Sequence, residues 1–130
     1  MLKTVIIDTN IFLRFILNDI PKDAEKAEVL FEKAKKKTLK IIVPQIVIFE
    51  IHFTLDKYYQ FEKEKVVGVL ANLVSSEYLD VQDGVTFLSA IVIFRDKNIS
   101  FVDSFLIALS KKYSAELITY DKKLKKSDKV

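Results

Sequence analysis

Two kinds of apolar pattern alternate along the chain. A continuous run rich in β-branched residues, typical of a strand covered on both faces, occurs at 3–8, and further strands are predicted at 40–43, 78–81 and 116–119. Between them, apolar residues spaced three and four apart predict helices from about residue 10, from 21, over 45–59, 61–75 and 85–97, and from 100. This alternation predicts an α/β fold, a three-layer α/β/α sandwich around a central parallel sheet of four to five strands.

Length and composition narrow the class of protein. A chain of 130 residues that is 50% hydrophobic is expected to form a single domain, residues 1–130, with one core. The absence of cysteine excludes disulfides, thiolate zinc sites and cysteine nucleophiles. The most apolar stretch, Ile41 to Leu55, is interrupted by polar residues, and no secretory signal is recognisable at the start of the chain. We therefore expect a soluble, cytoplasmic protein.

The charge distribution and the glycine content indicate which kinds of ligand the protein could bind. The net charge is only +3, but lysines form two clusters, at positions 33, 35, 36 and 37 and at positions 122, 123, 125 and 126. Such clusters favour polyanions through counterion release, although solvated helix and tail surfaces would look the same. Only two glycines occur, so a glycine-rich phosphate loop of the P-loop or dinucleotide type is excluded.

Four acidic residues are predicted to converge where the strands of the sheet end. Ligands of open parallel sheets bind outside the carboxyl ends of the strands. The acids expected there are Asp8, Glu50, Asp103 and Asp121. Their mutual repulsion requires a cation, and an all-oxygen site of this kind suits a divalent metal and phosphodiester or phosphoryl transfer.

Each acid also has a purely structural interpretation. Asp8 and Asp121 could cap the helix or turn that follows them. Asp103 lies at capping-box spacing from Ser100. Glu50 has apolar neighbours and is expected to be buried, at a cost that something must compensate, unless rotation of its helix carries it to the surface. The prediction therefore depends on the four acids together.

The single histidine limits the possible chemistry. His52 is two residues from Glu50 and therefore on a different helical face, where we expect a packing or surface role. A ribonuclease mechanism that pairs two histidines as acid and base cannot be built in this chain.

The order of motifs resembles the PIN-domain family, in particular the small ribonuclease toxins of the VapC type found in toxin–antitoxin pairs. The resemblance covers nearly the whole chain. It rests on Val5-Ile6-Ile7-Asp8-Thr9-Asn10-Ile11-Phe12-Leu13-Arg14, on Glu50, on Asp103-Ser104-Phe105-Leu106-Ile107-Ala108, and on Leu117-Ile118-Thr119-Tyr120-Asp121.

The resemblance implies a metal-dependent RNA endonuclease whose four acids bind Mg²⁺ or Mn²⁺. Thr9, Asn10 and Thr119 would be supporting polar residues. It also implies a homodimer, an antitoxin protein as partner, and products with 5′-phosphate and 3′-hydroxyl ends. These expectations come from the family and not from the spacing of the residues.

The chain departs from the family pattern in two features. The chain continues for only nine residues after Asp121, in a lysine-rich tail, so a fifth strand is expected to be absent or very short. Ser114 stands where relatives often carry a glycine, so a different shape is expected at that helix end.

Other functions remain compatible with the sequence. A phosphatase of the haloacid dehalogenase kind is disfavoured, because it needs a second aspartate where this chain has Asn10. A noncatalytic interaction or RNA-binding module with the same fold, and an RNA-processing nuclease that is not a toxin, both stay open.

Overall fold

A parallel sheet of three strands organises the first part of the chain. Strand β1 (Lys3–Ile6) pairs with β2 (Leu39–Val43), and β2 pairs with β3 (Leu79–Val81), so β2 is central. Lys3 lies opposite Leu39 and Ile41 opposite Leu79. The predicted α/β class and the parallel direction of the strands are confirmed.

The computed structural model describes residues 2–128, which fall into two compact units. The first ends at Gln82 and the second begins at Asp83. The helices of the first unit are α1 (Thr9–Leu17), α2 (Pro21–Lys35), α3 (Gln45–Phe53) and α4 (Lys63–Ser75), and a π-helical turn (Thr54–Tyr58) continues α3. None of the described helices is long and apolar enough to cross a membrane.

Burial alternates along the central strand β2, so that one of its faces packs against the core. Leu39, Ile41 and Val43 are buried, whereas Lys40 between them is exposed. The core beside the sheet is built around aromatic rings. The ring of Phe31 on α2 packs 5.7 Å from that of Phe12 on α1, measured between centroids. Apolar burial of this kind is the main stabilising contribution to the fold.

The second unit consists of a helical pair followed by a short helix. Its elements are α5 (Gly84–Asp96), α6 (Phe101–Lys112) and α7 (Lys122–Asp128). Helices α5 and α6 pack through aromatic side chains, with the ring of Phe87 4.7 Å from that of Phe105 and 6.1 Å from that of Phe101. The helical periodicity read from the sequence is therefore confirmed here as well.

The predicted strand at 116–119 is not formed. This segment lies outside the regular elements, and Ile118 is 85% exposed. The sheet consequently has three strands among residues 2–128 instead of four to five. An apolar, β-branched run has strand propensity, but a strand also requires a partner, which local sequence does not specify. The lysine-rich tail forms helix α7 as far as Asp128, with Leu124 buried, and no fifth strand lies in the described tail.

Ser114 adopts the left-handed conformation at the end of α6. Its φ is 52°, and the N–H of Ala115 donates to the carbonyl of Ser110 at 2.8 Å. The N–H of Ser114 itself donates to the carbonyl of Lys111 at 3.2 Å. This is the Schellman pattern in which glycine is favoured, so serine retains the glycine type of helix end, contrary to the different shape that we expected.

Replacing Ser114 by glycine is expected to stabilise the protein. Ser114→Gly removes the strain that a side chain causes in the left-handed conformation, but glycine also has a larger entropy in the unfolded chain. The net effect should raise the free energy of unfolding by about 0.5–1 kcal/mol. Urea denaturation would measure it. Ser89→Gly, in the exposed middle of α5, is the matched control and should lower stability by about 0.5 kcal/mol. Equal losses in both variants would contradict the strain at position 114.

Candidate functional site

An open cavity of about 400 Å³ in the first unit brings two of the predicted acids together. Asp8 and Glu50 both line it, with the two predicted supporting residues Thr9 and Asn10. The remaining lining residues are Leu13, Arg14, Val47, Thr54, Tyr58 and Tyr59.

The sheet and two helix starts explain why Asp8 and Glu50 meet. Asp8 follows β1 and is the N-cap of α1, where its Oδ1 accepts a hydrogen bond from the Ile11 N–H at 3.3 Å. Glu50 lies on α3, which begins directly after the neighbouring parallel strand β2. Because the carboxyl ends of parallel strands share one edge of a sheet, both acids lie at that edge.

Gln82 secures the start of the helix that carries Glu50. Pro44 is the N-cap of α3 and contributes no side-chain hydrogen bond. Instead, Oε1 of Gln82, just beyond β3, accepts a hydrogen bond from the N–H of Gln45 at 2.9 Å. The N–H of Gln82 donates to the carbonyl of Val43, also at 2.9 Å. The helix start is thus tied to β3, a contact that spans 37 residues and gives no local sequence signal.

Glu50 is exposed and not buried as its apolar neighbours led us to expect. The buried face of α3 is formed by Val47, Ile48 and Ile51, and this rotation turns Glu50 toward the open cavity. Water can therefore solvate the carboxylate, and the burial penalty that we inferred does not arise. The remaining electrostatic cost is the repulsion between the carboxylates of Asp8 and Glu50, which line the same cavity.

Asp103 and Asp121 lie in the second unit, each at the start of a helix. The N–H of Asp103 donates to Oγ of Ser100 at 3.0 Å, which is one half of the predicted capping box. Oδ1 of Asp121 accepts from the Leu124 N–H at 3.0 Å, and the N–H of Asp121 donates to Oγ1 of Thr119 at 3.0 Å. The capping interpretation is therefore confirmed for Asp121 and, as one half of the box, for Asp103. Both carboxylates keep further acceptor capacity for a ligand.

The four-acid metal site stays a prediction. Within residues 2–128, neither unit by itself gathers three or more acidic or histidine side chains that could hold a metal ion. The donors that line the cavity are nevertheless of the right kind, because carboxylate and amide oxygens are the ligands of hard divalent cations. Asp8, Glu50 and Asn10 thus fit Mg²⁺ or Mn²⁺ chemically.

Sequence reasoning did not identify the aromatic and cationic part of the cavity. Thr54 and Tyr58 follow Glu50 at intervals of four residues, a spacing that places side chains on one helical face and could have indicated them. Arg14 follows Asn10 at the same spacing.

His52 does not contribute to the cavity lining. Its side chain is half-buried, and burial lowers its pKa, with Lys57 acting in the same direction and Asp56 opposing. A pKa lowered mainly by burial fits the packing role that we predicted.

Comparison with known proteins identifies the family. Residues 5–130 match the family model of the PIN domain. The chain belongs to the PIN domain family. A curated relative, named VapC ribonuclease, from Aquifex aeolicus (strain VF5), is 26% identical over 122 residues, which cover 93% of this chain and 90% of that protein. The resemblance inferred from the motifs is therefore confirmed, and the PIN match includes all four predicted acids.

The capping role of Asp8 in this PIN domain can be separated from its charge. In metal-free protein, Asp8→Ala is expected to lower the free energy of unfolding by about 1 kcal/mol, because the Ile11 N–H loses its acceptor. Asp8→Asn keeps an acceptor oxygen and should change stability little. Denaturation in EDTA would measure both. Equal destabilisation by the two substitutions would contradict the capping role.

Proposed function

We propose that this PIN domain protein is a metal-dependent RNA endonuclease and the toxin of a toxin–antitoxin pair. The observation that carries the proposal is the meeting of Asp8 and Glu50 in one open cavity of a chain that matches the PIN domain. The relative named VapC ribonuclease supports RNA as the substrate. The substrate would be cut at a phosphodiester bond, leaving 5′-phosphate and 3′-hydroxyl ends.

The proposed metal ligands are Asp8, Glu50, Asp103 and Asp121, with Mg²⁺ or Mn²⁺ as the ion. When bound, such an ion lowers the pKa of water and neutralises charge on the phosphodiester. The chain's own contribution is to hold the oxygen donors in place. Asp8 and Asp121 are each anchored by a hydrogen bond from a helix backbone N–H.

The supporting residues act through the acids. Thr9 is buried beside Asp8 at the start of α1, and Asn10 offers an amide oxygen to the cavity. Thr119 accepts a hydrogen bond from the backbone of Asp121 and so helps to orient it. These contacts favour a preorganised site, in which outer residues fix the ligands.

The partners in this proposal follow from its chemistry and from the family. The lysines of both predicted clusters are exposed, at the end of α2 and on α7, and would attract the RNA backbone in a salt-dependent manner. A cognate antitoxin, a homodimer and a cytoplasmic location complete the proposal.

RNA cleavage should depend on both the metal and the acids. Wild-type protein with Mg²⁺ or Mn²⁺ is expected to cut single-stranded RNA, and EDTA should abolish cutting. Asp8→Asn and Glu50→Gln should each reduce the rate by about 100-fold or more, since even outer-shell partners of a metal usually contribute about 10–100-fold. Gel electrophoresis of end-labelled RNA would measure the rates.

A matched control guards against a contaminating nuclease. Glu64→Gln makes the same chemical change at an exposed position in the first turn of α4 and should leave the rate unchanged. Cleavage that persists in EDTA, or that all three variants retain equally, would reject the metal-dependent mechanism. Specific protein binding without cleavage would favour the noncatalytic module.

The toxin role is tested in cells. Expression of the wild-type chain is expected to arrest bacterial growth, because uncontrolled RNA cleavage stops translation, whereas Asp8→Asn should permit growth at an equal protein level. Co-expression of a neighbouring antitoxin gene should restore growth with the wild type. Normal growth with an active nuclease would instead indicate an RNA-processing enzyme.

A further inference from the structure

We propose that Tyr58 and Tyr59 stack on unpaired bases of the RNA while Arg14 holds an adjacent phosphate. The proposal rests on the proposed nuclease function and adds three RNA-binding residues to it. All three residues line the same cavity as Asp8 and Glu50.

In the aromatic part of the cavity, a solvent-exposed ring packs on a second, less exposed ring. Tyr58 is 76% exposed, although its ring packs edge-to-face on that of Tyr59 at 4.8 Å between centroids. Tyr59 is half-buried and lies 6.5 Å from the ring of Phe61. Leaving so much aromatic surface in water forgoes the stabilisation of burial, and a stacking partner would recover it.

The backbone beneath these rings is hydrogen-bonded and not a free loop. The N–H of Tyr59 donates to the carbonyl of Thr54 at 3.1 Å, the bond that defines the π-helical turn. The N–H of Phe61 donates to the carbonyl of Leu55 at 2.9 Å, and Leu55 is fully buried. π-Helical turns of this kind occur frequently at functional sites. The backbone that carries the tyrosines is therefore ordered before a ligand arrives, which lowers the entropy cost of binding.

Arg14 is a cation in the cavity lining that forms no ion pair with the acids of the cavity. Its Nη1 donates to Oδ2 of Asp19 at 3.0 Å, and within residues 2–128 no other side chain hydrogen-bonds the guanidinium. Asp19 is outside the cavity lining. A guanidinium has five N–H donors, so one contact orients it and leaves others for a phosphate.

These features together favour single-stranded RNA over a duplex. Aromatic side chains beside a positive group are the usual means of binding single strands, because every unpaired base has a face on which to stack. In a duplex the bases are already stacked on one another, and proteins recognise shape and backbone instead. The cavity volume of about 400 Å³ also lies in the range of small-ligand sites, so the cavity has room for a nucleotide.

The test measures binding apart from cleavage. Fluorescence anisotropy with a labelled, mixed-sequence single-stranded RNA in EDTA is expected to show that Tyr58→Ala weakens affinity about 5- to 150-fold, the range found for loss of one stacked base. Tyr58→Phe should retain affinity within about twofold, since the ring face is kept. Arg14→Gln should reduce the slope of log affinity against log salt by about 0.7, the value for one phosphate contact to a single strand.

The control is an exposed tyrosine outside the cavity. Tyr113→Ala, at 66% exposure in the second unit, should bind as the wild type does. Thermal melts that match the wild type would show that the variants remain folded. Unchanged affinity in Tyr58→Ala, or an equal loss in Tyr113→Ala, would overturn the proposal and leave Tyr58 as a surface for a protein partner.

Failure of this inference differs from failure of the nuclease proposal. Wild-type protein that cuts RNA, with Tyr58→Ala equal to it in both affinity and KM, would overturn the stacking role alone. Wild-type protein that binds RNA through Tyr58 but never cuts it with Mg²⁺ or Mn²⁺ would overturn the nuclease and leave the binding site standing.

Discussion

Parallel pairing of β1 with β2 is the constraint on which the candidate site depends. The pairing of Ile6 with Ile42 ends both strands at the same edge, so that Asp8 and the helix bearing Glu50 emerge side by side. An antiparallel arrangement would send the two acids to opposite edges of the sheet. The cavity therefore depends on the direction of two short strands and not on any interaction between its acids, which repel each other.

Three of the four predicted acids are positioned by helix starts. Asp8 and Asp121 accept hydrogen bonds from backbone N–H groups, and Asp103 lies in the first turn of α6. The N-terminus of a helix carries partial positive charge and favours an anion. Local structure thus fixes the carboxylates of Asp8 and Asp121, and the helix starts offset part of the cost of the charge on all three acids. Glu50 has no such support on α3, and its place is instead tied to β3 through Gln82.

Much of the fold was readable from the sequence, but long-range contacts were not. Strands and helices with strong periodicity were predicted close to their observed bounds, because periodicity reflects which face is buried. The segment 116–119 shows what local sequence does not specify. Its strand propensity was recognised, but whether it would pair with another strand was not predictable. Glu50 was expected to be buried because its neighbours are apolar, yet burial of Ile48 and Ile51 turns it outward. Helix α7 was expected only as a helix or turn that Asp121 could cap, because only Leu124 of its residues is buried.

The walls of the cavity differ in the chemical groups that they could bind. Acids that follow the strand ends suit a cation and the scissile phosphate, whereas Arg14 and the tyrosines suit the backbone and bases next to it. Stacking on tyrosine tolerates every base, so it would contribute affinity but little sequence preference. Base-specific choice would need hydrogen bonds to base edges, and Asn10 and Thr54 are the non-aromatic neutral polar side chains of the lining besides Thr9, which is buried. Sequence preference in this protein should therefore be sought at those two positions before the aromatic ones.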